Sequence, residues 1–356
     1  MRVVLADPPA FTPPYDHELA SALARAGADV ELVTSRFRFG ERPAPEGYLL
    51  VEDLYPRSAR AARNAVRLPA KALEHPFAMR RVLSRPADVI HFQWLAVPEV
   101  DRVLLRSERP LVLTAHDLLP RRTASRTRLW RSLFSRFERV VVHSQRGHDT
   151  LSAFGVPEAK LRVIAHPVFR SDPPRADDGR TVLALGVIRD YKGLPDALDA
   201  VLRVPDARLL VAGDPRIPLD ELRGRAGARA EWRLGYLDRP ALERALSDST
   251  VAVFPYAAEL DQSGALLQAL GAGVPAVVYD VGGLGEVVDA FGAGRVVPAG
   301  DVDALSGALG ELLGDATALA AARAGAARAR EELTWEAAAS SHLAIDRKST
   351  RLNSSH

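Results

Sequence analysis

The feature that most narrows the fold is a rhythm that occurs twice. Short β-branched or aliphatic runs alternate with helical patterns. The apolar runs are 2–6, 29–34, 88–92, 110–115, 139–143 and 161–165, and then 181–186, 207–213, 229–235, 251–255, 275–280 and 294–298. One of the intervening helices is predicted at 15–27, with Leu19, Ala22, Leu23 and Ala26 on one face and Gly27 as its stop. Strands without polar alternation must be buried on both faces, and only parallel sheets covered by crossover helices provide that. Residues 166–180 break the rhythm with two adjacent prolines, several aspartates and a glycine, the composition of a linker. The prediction is an α/β chain of two doubly wound, Rossmann-like domains, 1–165 and 181–333. A last helix, 334–345, is expected to cross back to the first domain. The composition changes abruptly at 346–356, which reads as an appended, non-native tail. Such domains bind ligands at the carboxyl ends of their strands, so the site is expected in the cleft between the two.

Composition removes several classes of function. The chain has 356 residues and no cysteine, which rules out a disulfide framework, a thiolate nucleophile and cysteine-ligated metal. A net charge of +2 gives no electrostatic footprint for nucleic acid. No run approaches the length of a membrane span, and the first residues lack a secretory pattern, so a cytoplasmic protein is expected. The first strand is followed by "ADPPAFTPP", without the glycines of a dinucleotide-binding turn. There is no P-loop. "DVD" (301–303) opens a helical run, where Asp301 or Asp303 reads as a helix-start residue rather than a metal ligand.

What remains points to an anion. "LALGVIRDYKGLPDAL" (183–198) is a strand, a turn and a helix, with Gly186, Arg189, Lys192 and Gly193 at the turn. The unpaired amides of a helix start, with two cations beside them, suit a diphosphate or equally a solvated turn. "DQSGALLQALGAG" (261–273) places Ser263 and Gly264 at a second helix start, and "DVGGLGEVV" (280–288) places Gly282, Gly283 and Gly285 at a third. Together they suggest a nucleoside diphosphate.

These stretches resemble the C-terminal domain of GT-B glycosyltransferases of the retaining type usually called family four. "GVIRDYKG" (186–193) is similar to a variant subgroup with G-x-I-R-x-Y-K-G, and "DQSGA" (261–265) to that subgroup's Q-S-G loop. "GVPAVVYDVGGLGEVV" (273–288) is similar to the family's G-x-P-V-V segment and the glycine loop after it. The resemblance implies two facing Rossmann-like domains and transfer of a sugar from a nucleotide-sugar co-substrate, with retention, without metal or other cofactor. It puts Lys192 on the phosphate-binding lysine and Arg189 on the variant's arginine, with Val187 at the commoner arginine position. The family's two glutamates, eight positions apart, fall on Leu260 and Gln268. Gln268 keeps hydrogen-bonding capacity for a ribose, and sugar contact passes to Asp261 or Gln262. The donor set is therefore Gly186, Asp261, Gln262, Ser263, Gly264, Gln268 and Gly283.

In the first domain His116 follows a strand end, where the family often carries a histidine near the donor sugar; a loop histidine held by a neighbouring carboxylate fits the same residues. With Arg189 and Lys192 it forms the predicted catalytic set. Trp94 can stack on a sugar. Tyr15, Asp16 and His17 open the first helix and are assigned to acceptor recognition, with Asp16 as a plain helix cap the alternative. The acceptor is expected to be a glycan, a lipid-linked molecule or a small molecule. Residues 121–140 interleave Arg128, Arg131, Arg136 and Arg139 with Leu129, Trp130, Leu133, Phe134 and Phe137. That pattern describes either peripheral docking on an anionic membrane, at its inner face, or a core-packed helix with a solvated basic side. Two other functions fit: a GT-B epimerase or inverting transferase using Asp16, His17 or His116 as base, and a non-catalytic sugar-nucleotide or glycan-binding protein.

Overall fold

The computed structural model describes residues 1–353 apart from 39, 41, 59–63, 120–122 and 258–259, with the backbone alone for 64–68 and 348–353. The chain forms two compact units: Met1–Ala165 with the segment from Trp335 onward, and His166–Thr334. The first unit holds β1 (Arg2–Asp7), β2 (Asp29–Ser35), β3 (Leu49–Leu54), β4 (Val89–Phe92), β5 (Leu111–Thr114), β6 (Arg139–Val142) and β7 (Leu161–Val163). The second holds β8 (Thr181–Leu185), β9 (Arg208–Gly213), β10 (Ala230–Leu234), β11 (Val251–Phe254), β12 (Ala276–Tyr279) and β13 (Gly294–Val297). All pairings are parallel, in the orders β3-β2-β1-β4-β5-β6-β7 and β10-β9-β8-β11-β12-β13. Both units are therefore doubly wound Rossmann-like sheets. In each, winding reverses beside the first strand, between β1 and β4 and between β8 and β11, which opens a crevice at the carboxyl ends.

Every predicted apolar run carries a strand, and one strand, β3, was not predicted. It is the edge strand of its sheet and pairs only with β2. Its sequence LLVEDL is half exposed and carries two acids, so it lacks the signature of a buried strand. Just beyond it, Tyr55 donates to His75 Nδ1 (2.7 Å) and His75 Nε2 donates to Asp101 Oδ1 (2.6 Å). The other Asp101 oxygen accepts the Val97 amide at 3.0 Å. This buried chain of side chains ties the end of β3 to the helices Asn64–Leu83 and Pro98–Leu104.

The structure supports the core-packed reading of 121–140 and changes the reading of 166–180. Leu129, Trp130, Leu133, Phe134 and Phe137 are all buried in the core of the first unit, so the helix Thr127–Phe134 spends its apolar side on the sheet. Its arginines do not form one basic face either. Arg139 lies in β6, nearly buried and paired with Glu138 (2.6 Å), and Arg131 reaches back to the Phe154 carbonyl. The segment 166–180 has no helix or strand, yet it lies along the second unit. Val168 is buried in that unit's core, and Arg175 binds the carbonyls of Leu246 and Ser249. Among the described residues no helix is long and apolar enough to cross a membrane.

The helices Ala316–Glu332 and Trp335–Asn353 meet at the predicted break, and the second continues past the composition change at 346. Its buried stripe, Trp335, Ala338, Ala339, His342, Leu343 and Asp346, has helical spacing and packs against the helix Pro13–Arg25 and β4. His342 and Asp346 thus occupy positions where an apolar residue would serve. Burial holds the His342 imidazole well below its ordinary range, helped by His91 and His143 nearby. Neither of its ring nitrogens has a hydrogen-bond partner among the described residues.

An unfolded histidine takes up a proton below pH about 6.5, and the native His342 does not, so stability is lost as pH falls through that value. We expect His342→Leu to stabilise the protein at pH 5 relative to wild type by about 2 kcal/mol, and to have a smaller effect at pH 8. Denaturant unfolding of both proteins at the two pH values checks this; an equal difference at both would contradict it.

Candidate active site

The second unit brings most of the predicted donor residues to its switch point. After β8 the chain passes Gly186, then Arg189, into a short 3-10 turn (Asp190–Lys192) and the helix Leu194–Arg203. The cations therefore precede the helix. Gly193 separates them from it in a left-handed conformation (φ 66°), and a Cβ there would lie 1.9 Å from the Pro255 carbonyl oxygen. Only glycine lets the loop after β8 close onto the loop after β11. Gly186 (φ 104°) leaves room for the Lys192 ammonium, which would sit 3.2 Å from a Cβ at that position.

The half-buried Lys192 points to the loop after β11. Its Nζ donates to the Tyr256 hydroxyl at 2.8 Å, and Tyr256 Oη lies 3.1 Å from Ser263 Oγ. Ser263 is the N-cap of the helix Gly264–Gly271, where its Oγ accepts the Leu266 amide. Gln262 Oε1 takes the Ser263 amide (2.9 Å), and Gln262 Nε2 donates to the Gly283 carbonyl (3.1 Å). The amides of Gly264 and Ala265 are left without a hydrogen bond among the described residues. Gln268, one turn on from Gly264, shares its face and is half-buried. Arg189 is exposed and makes no ion pair among the described residues. Tyr256 was missed by sequence reasoning: a single tyrosine behind a buried strand carries no signal until the fold sets it between Lys192 and Ser263.

Two donor candidates have other duties. The Gly283 amide donates to the carbonyls of Asp261 (3.0 Å) and Leu260, so it is spent on the packing of two loops. Asp261 is fully buried beneath that contact. Glu259, the glutamate next to Leu260, lies outside the described residues. Asp301 caps the helix Val302–Gly314 through the Ala304 amide (2.8 Å) and Asp303 pairs with Arg203, which accounts for "DVD".

In the first unit the carboxyl ends of β1, β4, β5 and β6 carry an aromatic and imidazole cluster. His116 stacks on Trp94 (centroids 5.3 Å, 19° between planes), and the Tyr15 ring meets it edge-on at 4.6 Å. His116 Nε2 lies 3.0 Å from Gln93 Oε1, and its Nδ1 lies 3.3 Å from His143 Nε2. His143 Nδ1 donates to the Ile164 carbonyl (3.0 Å), and burial pushes His143 down to about 4. The His143 Nε2 is therefore an acceptor facing His116 Nδ1, and Gln93 Oε1 is a second acceptor facing His116 Nε2. Phe11, largely exposed and edge-on to Trp94, extends the cluster outward; it stood in a proline-rich loop with no pattern to mark it.

Asp16 is neither exposed nor the cap. The N-cap position is Thr12, and Asp16 is buried in the first turn. It faces Asp7, a residue not singled out from sequence, at the end of β1. Their carboxyls interact closely, and a proton shared between them relieves the repulsion of the buried pair. Burial raises both, and Asp16 rises well above the usual range because Asp7 adds repulsion; Arg42 opposes the shift. Thr12 links the pair to the cluster by donating to Asp16 Oδ1 and accepting from Trp94 Nε1 (2.9 Å). His17 does not join: its Nδ1 lies 3.0 Å from the Tyr48 hydroxyl. Tyr15, Asp16 and His17 are all buried, so of the predicted acceptor residues Trp94 alone offers surface.

Two family profiles match the sequence. One, described as Glycosyltransferase Family 4, matches residues 15–170. The other, Glycosyl transferases group 1, matches residues 179–315. The chain is 29% identical to the GDP-mannose:glycolipid 4-beta-D-mannosyltransferase of Xanthomonas campestris over 57% of its own length and 64% of that enzyme's. It covers 64% of that enzyme and 62% of the phosphatidyl-myo-inositol mannosyltransferase of Mycolicibacterium smegmatis, less than two thirds of either. Its fold is similar to that of sucrose-phosphate synthase from Thermosynechococcus elongatus (TM-score 0.78, 20% identity, 98% of each chain). It is also similar to that of Anabaena HepE in complex with UDP-glucose (TM-score 0.68, 15% identity, 100% of each chain). These neighbours give the architecture its name, GT-B.

The Asp7–Asp16 pair sets a pH dependence of its own. Above the unfolded carboxyl pKa of about 3.9 the native pair still holds a proton that the unfolded chain has released, so stability falls as pH rises. Asp16→Asn supplies that hydrogen without ionisation. We expect it to raise the melting temperature of the protein at pH 8 by roughly 2–4 °C or more, for a gain of about 1 kcal/mol, with little gain at pH 4. A gain that does not grow with pH would contradict the shared proton.

Proposed function

We infer that this chain, a glycosyltransferase of the group-1, family-4 type, moves a sugar from a nucleoside-diphosphate donor to a glycan, lipid-linked or small-molecule acceptor. The observation that carries the reading is the meeting of Lys192 with Ser263 and the free helix-start amides of Gly264 and Ala265 at the switch point of the second sheet. A diphosphate placed there is held by one full charge, by a capping hydroxyl and by two backbone donors. The same groups act on the reaction. As the bond between sugar and phosphate lengthens, charge accumulates on the phosphate, and donors fixed in advance stabilise it without reorganising. Arg189, exposed at the rim, adds a second cation when the donor is bound. Two side-chain cations do the work that a divalent metal does elsewhere.

Retention is the outcome we favour. An inverting enzyme needs a base in the first unit. Asp16 is buried beside Asp7 and His17 is engaged with Tyr48, so of the three candidates His116 alone is placed for that task, and retention rests on the family resemblance. In a same-face reaction the departing phosphate takes the acceptor's proton instead. The exposed edges of Phe11, Trp94 and His116 suit stacking and hydrogen bonding to a sugar. Donor candidates come from the relatives: GDP-mannose is in the name of one and UDP-glucose is bound in another. Leu260 and Gln268 leave this donor loop with no carboxylate at either of the two expected places.

Lys192→Ala removes a charge-assisted contact that strengthens as the phosphate leaves, a loss of about 1.5–3 kcal/mol. Turnover at saturating donor should drop at least tenfold, with the circular dichroism spectrum unchanged. Undiminished turnover would take Lys192 out of the reaction. Because Arg189 and Lys192 supply the charge, excess EDTA should leave the transfer rate nearly unchanged. Loss of activity that magnesium or manganese restores would show that the two cations do not suffice. A protein that binds donor and transfers to no acceptor, with no slow donor hydrolysis, would be the non-catalytic binder.

A further inference from the structure

The hydrogen bonds behind Lys192 have a direction, and that direction makes a prediction about a residue the sequence did not mark. An ammonium has donors and no lone pair, so Lys192 donates to Tyr256 Oη and cannot receive from it. Nζ lies 2.8 Å from that oxygen and 4.8 Å from the ring centroid, so the contact is a hydrogen bond to the phenol rather than a cation over its face. The phenol proton must go elsewhere. Tyr256 is 2% exposed, and the acceptor within reach is Ser263 Oγ at 3.1 Å. Ser263 Oγ also accepts the Leu266 amide. With two donors on its two lone pairs, the Ser263 oxygen has no acceptor capacity left, and its own proton must point outward.

We propose that Tyr256 is a positioning residue of the donor site, which makes the Ser263 hydroxyl an obligate donor to a diphosphate oxygen and holds the Lys192 ammonium beside it. This rests on the reading of the switch point as the nucleoside-diphosphate site and adds a mechanism for its selectivity. Serine is ordinarily ambivalent: its hydroxyl can turn to donate or accept. Fixed by Tyr256, it meets an anion correctly and meets a hydrogen-bond donor badly. The remaining Lys192 protons and the Gly264 and Ala265 amides have the same polarity, so every group there donates. The site should therefore discriminate by the phosphates of its ligand. Tyr256→Phe keeps the ring and its packing but frees the Ser263 hydroxyl to rotate and releases the ammonium from its anchor.

Calorimetric titration of UDP, GDP, ADP and dTDP into the wild-type chain identifies the diphosphate that binds best, and the matching nucleoside without phosphates serves as the control. Tyr256→Phe should weaken the diphosphate about tenfold and leave the nucleoside within twofold. In a Ser263→Ala background, adding Tyr256→Phe should cost less than the full tenfold, because the hydroxyl it directs is already gone. Equal diphosphate affinity in wild type and Tyr256→Phe would overturn the assignment. So would an equal loss for diphosphate and nucleoside, or full additivity with Ser263→Ala. A wild-type chain that binds none of the four diphosphates would overturn the donor-site reading and this inference with it, whereas binding that is insensitive to Tyr256 overturns this inference alone.

Discussion

The reversal of winding beside the first strand of each sheet is the constraint on which the rest depends. β8 and β11 are neighbours in the sheet but far apart in the chain, and their crossovers leave on opposite faces. The loops that follow them must diverge, and the residues at their roots are left facing a crevice whose floor is backbone. In the second unit Lys192 enters that crevice from one loop, and Tyr256 and Ser263 from the other. Glycine at 193 is what lets the two loops approach, since any side chain would strike Pro255. The charge, the cap and the amides are thus products of topology as much as of composition.

The first unit has the same geometry and fills its crevice differently. Where the second unit collects donors, the first buries two carboxyls, Asp7 and Asp16, against each other and covers them with Thr12, Trp94, His116 and Tyr15. The Ile164 carbonyl fixes the tautomer of His143, whose Nε2 faces the outermost ring, His116. A crevice lined with donors invites phosphate. One with an aromatic rim above a buried acid pair offers stacking surface instead of charge. The contrast follows from the same backbone carrying different side chains at equivalent strand ends.

Much of this was legible in the sequence, for a physical reason. Strands buried on both faces must be apolar throughout, so β1, β4, β8, β11 and β12 announce themselves, as do the turns that close on glycine. β3 did not, because an edge strand is solvated on one side and LLVEDL shows it. Lys192 and Ser263 stood out as a charge at a glycine turn and a serine at a helix start. Tyr256, Asp7 and Phe11 did not, since each acquires its meaning from a partner distant in the chain. The basic-aromatic segment at 121–140 left two readings open. Its periodicity was real, but spacing alone cannot say whether an apolar face meets lipid or a sheet, and here it meets the sheet.

The central claim is that the switch point of the second unit holds the phosphates of the donor. A crystal structure of the chain with bound UDP or GDP tests it most directly. The account predicts a phosphate oxygen within hydrogen-bonding distance of both Lys192 Nζ and Ser263 Oγ, with the Gly264 amide directed at the same group. A nucleotide whose phosphates lie away from Lys192 and Ser263, with the Lys192–Tyr256–Ser263 chain unaltered, would contradict it.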